Sequence, residues 1–150
     1  MSETAEANDS GAVDSSNSRV WENLVIAMLS VGGFSVDKVL KLRGQLETAG
    51  LLDPRNLSSW DEARLTRELT GAGYERGLLT GMYAERLAAA MRVLASDVSR
   101  SETERVLSSV DPDEIAQLLL PQRGIGPRVV ESFLELQRAW LQGENRTADG

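Results

Sequence analysis

The chain has 150 residues, 41% of them hydrophobic, and a formal net charge of −7, enough for one domain with a real core. It contains no cysteine and no histidine, which excludes disulfides, thiolate zinc sites, iron–sulfur clusters, Ser–His–Asp chemistry and cysteine nucleophiles. Any catalysis would rest on Asp, Glu, Lys, Arg, Tyr or the backbone.

The charge is unevenly placed. Residues 1–18 carry Glu3, Glu6, Asp9 and Asp14 with no base and almost nothing to bury, the composition of a disordered acidic tail. Residues 143–150 read as a second polar tail with a charge of −1, so the domain between them, residues 19–142, carries only −2. No apolar run reaches the roughly 18 residues of a membrane helix, and the N-terminus lacks the basic start and apolar stretch of a secretory signal. A soluble, cytoplasmic chain with no membrane partner is expected, and the lack of cysteine fits a reducing compartment.

From Arg19 onward the apolar spacing is helical. Val20, Trp21, Leu24, Val25, Met28 and Leu29 follow the i, i+3, i+4 pattern of a buried face, which Gly32-Gly33 ends. Ser35 suits the N-cap of a second helix through Val36, Val39, Leu40, Leu42 and Leu46, with Gly50 as its terminating C′ glycine and a turn at Asp53-Pro54. Asn56 to Trp60 reads as a short helix. Ser58 or Ser59 would then cap the next element, which carries Ala63, Leu65 and Leu69 and ends near Gly71 to Gly73. The longest run spans Tyr74 to about Ser96, with Gly77 and Gly81 making its first turns irregular. Ser101-x-x-Glu104 has the form of a capping box, and Asp111-Pro112-Asp113-Glu114 opens a further helix through Leu120. The last helix is expected from Arg128 to about Gln142. No strand pattern of useful length is present, so the fold class is all-α, with seven or eight short helices.

The segment Leu120-Pro121-Gln122-Arg123-Gly124-Ile125-Gly126-Pro127-Arg128 carries the chemical hint. Two glycines admit backbone angles closed to other residues and let a ligand approach the main chain. Ile125 would point inward and pin the turn, and the amides at the start of the next helix would face a phosphate oxygen. A helix–turn–helix with a glycine cap and no ligand gives the same local pattern.

With this turn, the order of elements from Trp21 to Trp140 resembles the helix-hairpin-helix DNA glycosylases of the endonuclease III superfamily. The resemblance rests on an apolar first helix (Leu24 to Ser30), a second helix ending in Ala49-Gly50-Leu51-Leu52 and a short Leu57–Trp60 helix. It continues through Glu68-Leu69-Thr70-Gly71-Ala72-Gly73-Tyr74, the long helix with Ala84, Arg86 and Leu87, and Gly124-Ile125-Gly126. It implies a six-helix-barrel-like domain that binds the DNA backbone through the hairpin, with Arg123, Gly124, Ile125, Gly126 and Arg128 as DNA-binding residues. A potassium or sodium ion held by the hairpin carbonyls would carry over, but no iron–sulfur cluster would, and no metal site is otherwise expected.

The departures bear on chemistry. Arg128 stands where lyase-type members carry their catalytic lysine, and an arginine stays protonated and cannot form a Schiff base. The position of the family's catalytic aspartate falls near Arg146, and Asp149 sits in an Ala-Asp-Gly terminus without fixed geometry. Val31 replaces the glutamine that fills the gap left by a flipped base. The resemblance therefore implies a truncated, non-catalytic DNA-binding relative of base-excision-repair enzymes, with duplex or damaged DNA as partner and a nucleoid-associated place in the cytoplasm. Two other readings stand beside it: a protein-interaction or self-association module, and a residual N-glycosylase using a carboxylate such as Glu131.

Among other residues, Trp21 and Trp140 read as core, Trp60 is open to a stacking role, and Tyr74 covers a turn. Arg138 reads as a solvated helix charge, and Asp61-Glu62, Asp111, Asp113 and Glu114 as helix-start acids.

Overall fold

The computed structural model describes the backbone of residues 17–149 and the side chains of residues 17–143. Among the described residues every regular element is helical and none is a strand. The expected acidic tail lies outside them, apart from Asn17 and Ser18, which begin the first helix, α1 (residues 17–29). There follow α2 (Val36–Lys41), α3 (Arg43–Thr48), α4 (Pro54–Ser59) and α5 (Glu62–Gly71), then a 3-10 turn (Gly77–Leu79) leading into α6 (Thr80–Leu94). The chain continues through α7 (Arg100–Ser108), α8 (Pro112–Leu119) and α9 (Pro127–Asp149). No described helix is long and apolar enough to cross a membrane.

α1 is the centre of the fold. The expected apolar face is buried, and so are Asn23, Ile26, Ala27 and Ser30 on its other sides. A helix buried all round must be enclosed by neighbours, and its polar contacts identify them. The Trp21 indole N–H donates to Glu104 on α7 (2.7 Å), Asn23 donates to Gln137 on α9 (2.8 Å), and Glu22 pairs with Arg43 on α3. The carbonyl of Leu29, at the helix end, accepts from the Tyr74 hydroxyl (2.7 Å). Around this axis α6 packs against α4 and α5, and α8 packs against α7 and α9.

Local signals set the breaks. Gly50 (φ 82°) and Gly73 (φ 102°) both terminate helices in the left-handed conformation. In each case the following amide reaches back five residues, Leu51 to Leu46 and Tyr74 to Leu69, both at 2.9 Å, the Schellman arrangement. The expected second helix is divided at Leu42, whose side chain packs against Gly73, 2.9 Å from where a Cβ would stand. Gly77 (φ 62°) sits in the 3-10 turn, so the start of the long helix is irregular as anticipated.

Three local expectations are corrected. Asp53-Pro54 is not a free turn but the N-cap and first residue of α4. The α5 cap is Asp61, whose carboxylate accepts from the Arg64 N–H (2.8 Å), because Ser58 and Ser59 are still inside α4 and donate back to Arg55 O. Ser101 and Glu104 form no capping box, since Glu104 is drawn to the Trp21 indole and the Arg100 guanidinium (3.3 Å). Asp111 does cap α8, accepting from the Asp113 and Glu114 amides. The helical backbone of α9 runs past Gln142 to Asp149.

Candidate nucleic-acid interface

The link between α8 and α9 is a β-turn over residues 122–125, closed by Ile125 N–H to Gln122 O at 3.1 Å. Gly124 takes φ 86° at its third position, where a type II turn requires a left-handed residue. A Cβ there would stand 2.7–2.8 Å from the Arg86 stem on α6, so this glycine serves close packing as well as conformation. Ile125 is 5% exposed and belongs to the core. Gly126 opens α9: its carbonyl accepts from the Val129 (3.1 Å) and Val130 (3.3 Å) amides.

The structure sorts the five sequence-predicted residues. The amides of Gly124, Gly126 and Arg128 donate to nothing among the described residues. The Ile125 amide is engaged in the turn, so Ile125 anchors the loop and offers no donor. Arg123 is exposed but its guanidinium lies 3.1 Å from the Glu85 carboxylate. Arg128 is exposed on the first turn of α9, with no carboxylate within 4.0 Å among the described residues.

Opposite this turn lies the loop after α1. Residues 31–34 form a tight turn, Phe34 N–H to Val31 O at 3.2 Å, with Gly32 (φ 61°) and Gly33 (φ 89°) both left-handed, the type I′ geometry. A latch from the next layer holds it. The Arg76 guanidinium donates to Val31 O (2.9 Å), Gly32 O (2.6 Å) and the Tyr74 hydroxyl (2.9 Å). It sits over the rings of Tyr83 (4.7 Å), Phe34 (5.1 Å) and Tyr74 (5.5 Å). Burial pushes the Tyr74 hydroxyl up to about 12, against the opposing pull of Arg76.

Two clefts adjoin this loop. One of about 180 Å³ lies between Gly32, Tyr83, Arg86 and Gly124, floored by Met28, Leu29, Val31 and Leu87. The other, of about 390 Å³, lies between residues 30–36 and Arg128 with Ser132 on α9. Four cations border the loop: Arg76, Arg86 (6.0 Å from the Tyr83 ring), Lys38 (5.7 Å from the Phe34 ring) and Arg128. None of them makes an ion pair among the described residues, whereas Arg19, Arg43, Arg55, Arg64, Arg100 and Arg105 are all paired with carboxylates. Lys41, Arg67, Arg92 and Arg138 are also outside ion pairs among the described residues, and of all these cations Arg86 and Arg128 line the clefts, while Lys38 and Arg76 lie over the Phe34 ring.

Sequence reasoning missed Lys38, Arg76 and Arg86. Each reads as an ordinary helix or loop charge, and only the fold brings them to the α8–α9 turn. Gly32-Gly33 was the available signal, since a paired left-handed turn invites close approach from another element. The aromatic residues are accounted for differently. Trp21 is 1% exposed, Trp60 lies under the Arg64 guanidinium (4.1 Å) and is half-buried, and Trp140 lies beside Arg19 (5.8 Å). Glu131 is exposed on α9 and makes no ion pair among the described residues. The side chains of Arg146 and Asp149 lie outside the described residues. Compared with family models, curated proteins and solved structures, the chain matches none of them.

Proposed function

We propose that this chain is a non-catalytic DNA-binding domain, built like the helix-hairpin-helix part of a DNA glycosylase, that grips phosphates across the α8–α9 turn and the 31–36 loop. One observation carries the reading. Arg86, Arg128 and Lys38 border these two segments without carboxylate partners, beside the unengaged amides of Gly124, Gly126 and Arg128. A nearly neutral domain that gathers three such cations at one rim has a local field there suited to a polyanion. Arg76 is excluded from direct contact because carbonyls and rings already hold its guanidinium. In the turn, Gln122 O and Gly126 O already accept amides, so the monovalent cation implied by the resemblance would rely on the Gly124 and Ile125 carbonyls. Phosphate binding by the arginines, Lys38 and the open amides does not depend on it.

The test is fluorescence anisotropy of a labelled duplex titrated from low to moderate salt. Three or four phosphate contacts give a log K against log salt slope of about −3. Arg86→Gln and Arg128→Gln should each weaken binding and make that slope shallower by about 0.9. A slope near zero, or variants that bind like the parent, would refute the assignment. Loss of all binding together with a mass above the monomer in light scattering would favour self-association instead.

A further inference from the structure

We propose that the cleft between Gly32, Tyr83, Arg86 and Gly124 is a phosphate site, and that the Tyr83 hydroxyl donates there beside the Arg86 guanidinium and the Gly124 amide. The proposal rests on the DNA-binding reading above and adds a defined site and a new residue to it. Tyr83 is 8% exposed, yet its hydroxyl makes no hydrogen bond among the described residues. Thr103 Oγ1 is the one polar side-chain atom among them that is sealed from solvent without a partner, so the Tyr83 oxygen keeps an open side. It lies against Gly32, and both residues line the cleft of about 180 Å³ with Arg86 and Gly124. A buried hydroxyl without a partner costs stability, and an acceptor brought by a ligand removes that cost.

The groups gathered here call for an anion. Arg86 brings a charge, no acidic side chain lines the cleft, and the Gly124 amide donates to nothing among the described residues. Carbonyls at the end of α1 that would oppose an anion are already engaged: Leu29 O accepts from Tyr74, and Val31 O and Gly32 O accept from Arg76. Two glycines leave the donors uncovered, since a Cβ on Gly32 would meet the Tyr83 hydroxyl and one on Gly124 the Arg86 stem. Arginine, a tyrosine hydroxyl and a main-chain amide all donate to phosphate oxygens in nucleic-acid complexes. A hydroxyl bonded to a charged oxygen makes one of the stronger hydrogen bonds, and the apolar floor strengthens it by lowering the local dielectric. A base on that floor would leave the Arg86 charge without a counter-charge, so a phosphate is the occupant assigned.

The experiment compares the parent with Tyr83→Phe, which keeps the ring beside Arg76 and Arg86 and removes only the hydroxyl. Duplex affinity should fall by about three- to tenfold. The log K against log salt slope should not change, because no charge is lost, whereas Arg86→Gln makes it shallower by about 0.9. Stability should not fall, since the hydroxyl has no partner within the fold. A Y83F Kd within about twofold of the parent, or weaker binding accompanied by a clear loss of Tm, overturns the site. Inorganic phosphate, titrated against chloride at equal ionic strength, should saturably shift the Gly32 and Gly124 amide resonances, and should bind Y83F more weakly. No shift with phosphate, or an equal shift with a nucleoside that lacks phosphate, also overturns it, the latter marking a base pocket. Duplexes ending in a hydroxyl or in a 5′-phosphate separate the sources. Equal Kd values identify an internal diester as the occupant and tighter binding of the phosphorylated end a terminal monoester, and either upholds the site. If no duplex binds while phosphate shifts the amides, the DNA-binding reading fails and the site stands. Should the duplex bind parent and Y83F alike, the site fails and the reading stands.

Discussion

Replacing Gly124 with alanine, and Gly126 with alanine beside it, separates the conformational role of the α8–α9 turn from mere glycine content. At Gly124 the φ of 86° places an L residue in the left-handed region, at a cost of about 1–2 kcal/mol. The new methyl would also stand 2.7–2.8 Å from three carbons of the Arg86 stem, which must move by several tenths of an ångström. A total near 2–3 kcal/mol lowers Tm by about 4–10 °C in a domain of this size. At Gly126 a Cβ meets nothing within 4 Å and φ is not left-handed. A small loss in helix capping there is offset by the lower entropy of the unfolded chain, about 0.4–1 kcal/mol. The two proteins would be compared by thermal and urea denaturation. Equal stability of G124A and G126A, or a G124A Tm within 1 °C of the parent, would refute the assignment of Gly124 as the strained, close-packed position. G124A should also weaken duplex binding, because Arg86 is the side chain displaced, whereas G126A should leave it nearly unchanged.

Three further outcomes follow from the same geometry. Asn23→Ala leaves the buried Gln137 amide without its 2.8 Å partner and should cost about 1–3 kcal/mol in urea denaturation. The double variant Asn23→Leu with Gln137→Leu should recover part of that loss, and strictly additive effects would show the pair is uncoupled. Because the Tyr74 hydroxyl titrates near 12 when folded and near 10 when unfolded, the folded state keeps a proton that the unfolded state loses. This contribution is complete below pH 10 and disappears as pH rises to 12, so stability should fall by about 2–3 kcal/mol over that window. Tyr74→Phe should abolish that part of the pH dependence. Arg76→Lys keeps the charge but not the paired carbonyl contacts to Val31 and Gly32, so it should destabilise the fold and loosen the 31–34 loop. Hydrogen exchange at the Phe34 amide, which closes the turn onto Val31 O, as slow as in the parent would contradict the latch.

Much of the helical arrangement is written in residue spacing. The apolar face of α1, the Schellman glycines Gly50 and Gly73 and the Asp111-Pro112 start of α8 are local devices: the physics of a cap or a left-handed residue acts within five residues of itself, so it can be read along the chain. The inward Ile125 and the open amides of Gly124 and Gly126 are legible for the same reason. Where a side chain's partner lies far along the chain, sequence has no access to it. Glu104 reads as the end of a capping box, yet the Trp21 indole, 83 residues away, claims it. Gln137 reads as a surface glutamine on a long helix, yet Asn23, 114 residues away, makes it part of the core.

The candidate interface divides along the same line. The sequence by itself determined an all-helical chain without cysteine or histidine chemistry, and a glycine turn followed by a helix carrying Arg128. Tertiary structure alone decided which cations stand unpaired beside that turn. Salt bridges remove Arg123 from the free set, carbonyls and rings immobilise Arg76, and the packing of α6 brings Arg86 against Gly124. Charge is carried by every arginine alike, and it becomes available to a ligand only where the fold leaves it without a partner.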